Sequence, residues 1–208
     1  MGQAHRSHAE LPLTTEDLWD YQALTFLTTI EIQNVHQKFL QLADEVIDYK
    51  TQHITSEQVS SIPAIKVNPF KDQICKVFSR NEQGLFSFED FLEMISTFSE
   101  NASLAVKIDY AFRIYDLNGN NYIDQEDIRH IIFRLTNGSM DEADISTLTH
   151  YTYWFAKLKK SGNTKWKDYT SDQLSGLEEK IQWININKTK SNALDSMMMS
   201  ILMSNRVK

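Results

Sequence analysis

DLNGNNYIDQED, residues Asp116 to Asp127, decides the reading of this chain. Side-chain oxygens recur at positions 1, 3, 5, 9 and 12 of the twelve, on Asp116, Asn118, Asn120, Asp124 and Asp127, and Tyr122 offers its main-chain carbonyl at position 7. A hard divalent cation wants six to eight oxygens, and a tight loop between two helices can aim them at one point. Ile123 at position 8 is the apolar residue through which such loops pair. Asn121 at position 6 occupies a sharp turn that demands a positive φ, where glycine costs least and asparagine is the best tolerated substitute. Asp127 is one methylene shorter than the glutamate usual at position 12, so it is expected to reach the ion through one oxygen, favouring six-coordination and a smaller ion. The loop therefore predicts a site that accepts Mg²⁺ as well as Ca²⁺, with moderate Ca²⁺ affinity from its three carboxylates. The competing reading is a loop closed on itself by asparagine hydrogen bonds.

On either side the apolar residues keep a helical period. SLAVKIDYAFRIY precedes the loop with Leu104, Ile108, Ala111, Phe112 and Tyr115 on one face, and Ile128, Ile131, Ile132 and Leu135 follow it at i, i+3, i+4, i+7. The same plan occurs earlier, where SRNEQGLFSFED starts at Ser79, 37 residues before Asp116, and leads into Phe88, Phe91, Leu92 and Ile95. Helix, twelve-residue loop, helix, occurring twice, is the EF-hand arrangement. The earlier loop has Ser79, Asn81 and Gln83 at positions 1, 3 and 5 and no carboxylate at a ligand position before Asp90, while Gly84 and Phe86 keep the turn and the apolar bridge; it is expected to be empty and structural. Upstream, DYKTQHITSEQV offers Ile54 as a bridge residue but sets Lys50 among the would-be ligands. Downstream, DYTSDQLSGLEE from Asp168 lacks both the apolar residue at 8 and the glycine at 6, and is not expected to bind an ion.

Towards the amino terminus, Thr28 with Glu31 and Thr14 with Asp17 read as helix starts, the first of them placing Ile32, Val35, His36, Phe39 and Leu42 on one face. Asn68-Pro69 reads as an N-cap followed by proline at the first helical position, with Phe70, Ile74, Val77 and Phe78 inward. The fold class expected is all-α, with EF-hand units and a divergent, partly helical carboxyl end. A flexible start (1–13), a lobe of degenerate hands (14–98), an ion-binding hand (99–145) and a divergent basic tail (146–208) are the expected divisions.

Composition narrows the class. The single cysteine, Cys75, leaves no internal disulfide framework or multi-thiolate zinc cluster and fits a reducing compartment. The start of the chain has no apolar core of signal-peptide length, and no run approaches the ~20 apolar residues of a membrane span. A cytoplasmic protein is expected. The net charge of -7 conceals a break, since residues 1–145 carry 11 Lys+Arg against 23 Asp+Glu and residues 146–208 carry 10 against 5. An acidic body argues against nucleic acid as the main partner, while the basic tail could meet anionic lipid, another protein or the body itself. No histidine pair has metal-protease spacing, and Cys75 has no histidine near it in sequence, so a non-catalytic protein is expected.

Residues 13 to about 144 resemble the calcium- and integrin-binding (calmyrin) family of EF-hand proteins. The likeness is carried by LTFLTTIEI, NPFKDQICKVFS, FSFEDFLEMIS, YAFRIYDLN and the loop that ends in Asp127. It implies a cytosolic adaptor with degenerate and ion-binding hands, whose hydrophobic groove takes an amphipathic helix from the cytoplasmic segment of a membrane protein such as an integrin tail or a channel subunit. Carried onto this chain, the third-hand ligands are Asp116, Asn118, Asn120, Tyr122, Asp124 and Asp127. The family's fourth hand would stand about forty residues later, where this chain instead reads STLTHYTYWFAKLKKSGNTKWKDY. The family's amino-terminal acylation would use Gly2, although Arg6 stands where a hydroxyl is expected and serine comes only at Ser7.

The tail holds Trp154, Trp166 and Trp183 and four methionines, Met197, Met198, Met199 and Met203. Methionine-rich helices adapt to irregular grooves, so this segment could fill the protein's own target groove or pack without specificity. Two functional classes result: an ion-responsive adaptor, and an ion-independent EF-hand scaffold whose basic, Met-rich tail engages membrane or another protein.

Overall fold

The computed structural model describes residues 13–43, 48–81 and 83–160. The element order is α1 (Thr15–Leu24), α2 (Thr29–Leu42), β1 (Ile54–Thr55), α3 (Ser56–Ser60), α4 (Pro63–Lys66), α5 (Lys71–Phe78), β2 (Leu85–Phe86), α6 (Phe88–Phe98), α7 (Leu104–Tyr115), α8 (Gln125–Leu135) and α9 (Glu142–Lys160). The all-α expectation is met: the strands among the described residues are two residues each. The described residues divide into two units, one within residues 13–67 and 71–107 and one of residues 68–70 and 108–160.

In the first unit, helix starts are fixed by reciprocal caps. Thr14 with Asp17, Thr28 with Glu31, Thr55 with Gln58 and Ser87 with Asp90 each form a capping box, in which the hydroxyl accepts the N–H three residues on and that residue's side chain accepts the N–H of the cap. β1 and β2 run antiparallel with Ile54 opposite Phe86, so the two apolar bridge positions of the first two loops do pair. Both side chains are fully buried. Ser56 Oγ donates to the carbonyl of Gly84 at 2.7 Å, a second tie between the same loops.

The core of this unit is aromatic. Phe88 sits edge-to-face with Tyr21, His36, Phe39 and Tyr49 at centroid distances of 5.2–5.5 Å. Such pairs add about 0.5–1.5 kcal/mol each beyond the area they bury. The inward face of α2 holds Ile32, Val35, His36 and Phe39 as the period predicts, with Leu40 buried in place of Leu42. α1 is different, having no buried residue, and Trp19 and Leu24 are exposed.

The Asn68-Pro69 expectation needs correction. The helix starts at Lys71, two residues later, because Asn68 Oδ1 accepts the N–H of Phe70 at 2.8 Å and closes a turn before the helix instead of capping it at Pro69. Leu104, expected on the packed face of α7, opens that helix and is exposed.

In the second unit, α8 buries Ile128, Ile131 and Ile132, and α7 contributes Ala111, Phe112, Ile114 and Tyr115. Phe70 packs edge-on against Tyr115 at 4.9 Å. α8 ends in a left-handed pair, Asn137 (φ 51) and Gly138 (φ 66), whose Gly138 N–H donates to the carbonyl of Phe133. α9 follows, tied to α8 where the Arg129 guanidinium donates to both carboxylate oxygens of Glu142 at 2.8 Å. α9 runs unbroken past Ile145, the residue at which the charge of the sequence changes sign. Gly2, the Asp168 stretch and the methionine-rich segment lie outside the described residues.

Candidate metal centre

The loop from Asp116 to Asp127 joins α7 to α8, and its shape is set by side chains accepting main-chain N–H groups. Asp116 at its head accepts twice, from Asn120 N at Oδ1 (3.1 Å) and from Asn121 N at Oδ2 (2.8 Å). Those two bonds draw the middle of the loop back over its start. The reversal needs left-handed residues at positions 4 and 6, and Gly119 (φ 72) and Asn121 (φ 65) supply them. Asparagine thus occupies the turn predicted for it, in the one region where a non-glycine residue carries strain.

Further along, Asn118 Oδ1 accepts from Asn120 N and Asn120 Oδ1 accepts from Tyr122 N, at 3.1 and 2.9 Å. Asp124 is the N-cap of α8, its Oδ1 accepting the N–H of Glu126 and Asp127. Its Oδ2 accepts the side-chain amides of Asn120 (2.9 Å) and Asn118 (3.4 Å). Asp127, fully buried, returns the cap by accepting Asp124 N at Oδ2, while its Oδ1 accepts Leu117 N at 3.0 Å and Asn118 N at 3.4 Å. Ile123 is also buried, at the position equivalent to Phe86 in the preceding loop.

The two neighbouring carboxyls are driven in opposite directions. Burial opposes ionisation of Asp124, but the Asn120 amide and the N–H groups of Asp127 and Glu126 outweigh it and hold the carboxyl below its ordinary value. Asp127 is pushed up, chiefly by burial, against the N–H of Asp124 and with the charge of Asp124 adding to the rise.

The donor set fits a hard divalent cation, being oxygen throughout: carboxylates on Asp116, Asp124 and Asp127, carboxamides on Asn118 and Asn120, and the Tyr122 carbonyl. The described residues hold no group of three or more acidic, histidine or cysteine side chains converging as a metal cluster. In this arrangement the amides of Asn118 and Asn120 face Asp124, and Asp127 faces the backbone. A cation held here would use Asp116, Asp124 and Asp127 for charge and Asn118, Asn120 and the Tyr122 carbonyl for the remaining oxygens, once the amides turn from nitrogen to oxygen.

In the loop from Ser79 to Asp90 the carboxylate at position 12 meets a cation of the chain itself. Arg80 Nε lies 3.3 Å from Asp90 Oδ1, and the same guanidinium pairs with Glu93. Asp90 is 5% exposed, so its carboxylate, at the twelfth position of the loop, is compensated by a cation built into the chain at the second. Asn81 Oδ1 accepts Gln83 N and Leu85 N, keeping the loop closed. The sequence carried this signal, an arginine at position 2 with only one carboxylate among the ligand positions, but ligand-position counting passes over it. Lys50, out of place as a ligand in the first loop, serves instead as a structural tie. Its ammonium meets Asp17 Oδ1 at 2.7 Å, and Tyr49 OH donates to Asp17 Oδ2 at 2.9 Å. Cys75 is buried with its thiol pushed up, chiefly by burial, as suits a packed side chain rather than a nucleophile.

The EF-hand domain family model matches residues 107–140, which hold the third-hand loop. The chain is similar to calcium and integrin-binding family member 2 of Homo sapiens, with 32% identity over 161 residues that span 75% of this chain and 86% of the relative. The Danio rerio protein of that name matches to the same extent. The Drosophila melanogaster one is 36% identical over 137 residues, 61% of this chain and 71% of the relative.

Proposed function

Since the chain belongs to the calcium and integrin-binding family of EF-hand proteins, we propose that it is a non-catalytic, Ca²⁺-binding regulatory adaptor that loads its ion through Asp116, Asn118, Asn120, Tyr122, Asp124 and Asp127. The observation that carries this reading is the head of the loop, where Asp116 is fixed by two main-chain N–H groups and the left-handed Asn121 keeps the turn that an ion loop needs. Mg²⁺ is a second ion for the site, because Asp127 is too short to offer two oxygens easily and six-coordination suits the smaller cation.

The partner we assign is an amphipathic helix from the cytoplasmic segment of a membrane protein, an integrin tail or a channel subunit, which places the protein in the cytoplasm and at the membrane periphery. The names of the relatives support an integrin, and the exposed Trp19, Leu24 and Ile30 supply apolar surface for a helix. No helix among the described residues is long and apolar enough to cross a membrane itself.

A second reading is favoured by one observation, the self-closure of the loop through the Asn118 and Asn120 amides on Asp124. On that reading the hand is architecture, and the basic tail engages membrane or another protein without an ion. Calorimetric titration with CaCl2 and with MgCl2, followed by binding of a labelled integrin-tail peptide with and without the ion, separates the two. Absence of heat with either cation sinks the first.

A further inference from the structure

We propose that Asn118–Gly119 is a self-deamidating pair, which converts a neutral ligand position of the loop into a carboxylate. The chain holds a second Asn–Gly pair, Asn137–Gly138, which serves as an internal control. Asparagine followed by glycine closes to a succinimide most readily, since no Cβ on the following residue hinders attack by its nitrogen. Both pairs are exposed and both glycines are left-handed, so neither exposure nor the glycine conformation separates them, although Asn137 is itself left-handed (φ 51) and Asn118 is not.

Their surroundings do separate them. The Gly138 N–H donates to the Phe133 carbonyl at 2.9 Å, and the Phe133 ring stands 3.1 Å from where a Cβ on Gly138 would lie. Its nitrogen is engaged and the space above it is filled. Among the described residues Gly119 N donates no hydrogen bond, and nothing lies within 4 Å of its equivalent position. The carbonyl to be attacked also meets a donor, one it shares with Asp116: Asn120 N–H lies 3.1 Å from Asn118 Oδ1, the oxygen on which charge collects as Cγ becomes tetrahedral, and 3.1 Å from Asp116 Oδ1.

The chemistry needs water and nothing else. Gly119 N gives its proton to a solvent base and bonds to Asn118 Cγ; the Cγ–Nδ2 bond breaks, and Nδ2 takes a proton and leaves as ammonia. Water then opens the ring at one of its two carbonyls, giving aspartate at 118 or its β-linked isomer. The functional consequence rests on the metal reading above. Aspartate there adds a fourth carboxylate to the loop and tightens divalent-ion binding, whereas the β-linked isomer lengthens the main chain and spoils the turn. With Asn118 Oδ1 engaged by an ion the amide cannot swing onto Gly119 N, so a loaded loop converts more slowly.

The test is incubation of the full chain in mildly alkaline buffer with chelator, in parallel with saturating CaCl2, followed by digestion and mass mapping of the peptides holding Asn118 and Asn137. In chelator, acid is expected at position 118 several-fold faster than at 137, with ammonia released in step, and calcium is expected to suppress conversion at 118 alone. An Asn118→Gln chain, checked by circular dichroism, should release ammonia several-fold more slowly. Equal or faster conversion at Asn137, or undiminished ammonia release from the Asn118→Gln chain, overturns the proposal whatever calcium does. Selective conversion at Asn118 that calcium leaves unchanged upholds the proposal and counts instead against ion binding by the loop.

Discussion

Arg80 and Asp90, at the second and twelfth positions of one loop, form an ion pair in which the aspartate is buried and the arginine largely exposed. The carboxylate needs a positive neighbour, and the chain carries its own. Replacing Arg80 with methionine leaves Asp90 Oδ1 without that charge and is expected to cost about 1–2 kcal/mol, the scale of a buried polar group losing its partner, moderated by the exposure of the arginine. Chemical denaturation of the two chains measures it. An unchanged midpoint would show that solvent already serves Asp90.

Asp116 has two duties that substitution can separate. Asp116→Ala removes the acceptor for Asn120 N and Asn121 N as well as a carboxylate, so both ion uptake and calcium-free stability should fall, the latter by about 1–2 kcal/mol. Asp116→Asn keeps one of the two acceptor oxygens, loses the charge and sets its NH2 against the other main-chain N–H. Titration calorimetry should find ion binding weakened in both, and thermal melts in chelator should find the asparagine chain, with one bond kept, less destabilised than the alanine chain.

Asn121 tests the turn. At φ 65 an alanine is expected to cost about 1–2 kcal/mol in the calcium-free protein, whereas glycine relaxes the strain but is freer when unfolded and should come out within about 0.5 kcal/mol of the parent. Melting temperatures in chelator order the three chains. Alanine equal to glycine would mean the turn is not held in solution.

Asp17 sets a pH window. Hydrogen bonds from Lys50 first, then from Thr14 and Tyr49, hold its carboxyl well below the ordinary value of 3.8. A folded value lower than the unfolded one gives stability that is complete above the unfolded value and is lost as pH falls through the folded one. The parent should therefore lose stability progressively below about pH 4 relative to Asp17→Asn, which lacks that titration. Denaturation midpoints of both chains between neutral and strongly acid pH give the difference, and parallel curves would remove Asp17 from the account.

Much of the fold is readable from residue spacing because each relevant force is local. Capping boxes at Thr14 and Thr28 depend on residues three apart, and the helical faces of α2, α6 and α8 on residues three and four apart. The bridge residues Ile54 and Phe86 are visible as apolar insertions between polar loops. Lys50 reaching across 33 positions to Asp17 is not, whereas Arg80 sits in the same loop as Asp90 and is passed over only by counting ligand positions. A charge out of place in a ligand series shows only that the position offers an ion no oxygen, and its real partner depends on how the helices pack. Nor can spacing say which way the asparagine amides point, since both ends of that group form hydrogen bonds.

The reciprocal cap between Asp124 and Asp127 gives the entrance of α8 a double allegiance. The same pair of acids that seals the opening turn of that helix is wanted by any guest in the loop, so occupancy and fraying compete for shared anchors. Glu126 and Asp127 then act as an indicator needle: amide exchange there should register arrival of a cation before the buried isoleucines further down the helix notice it.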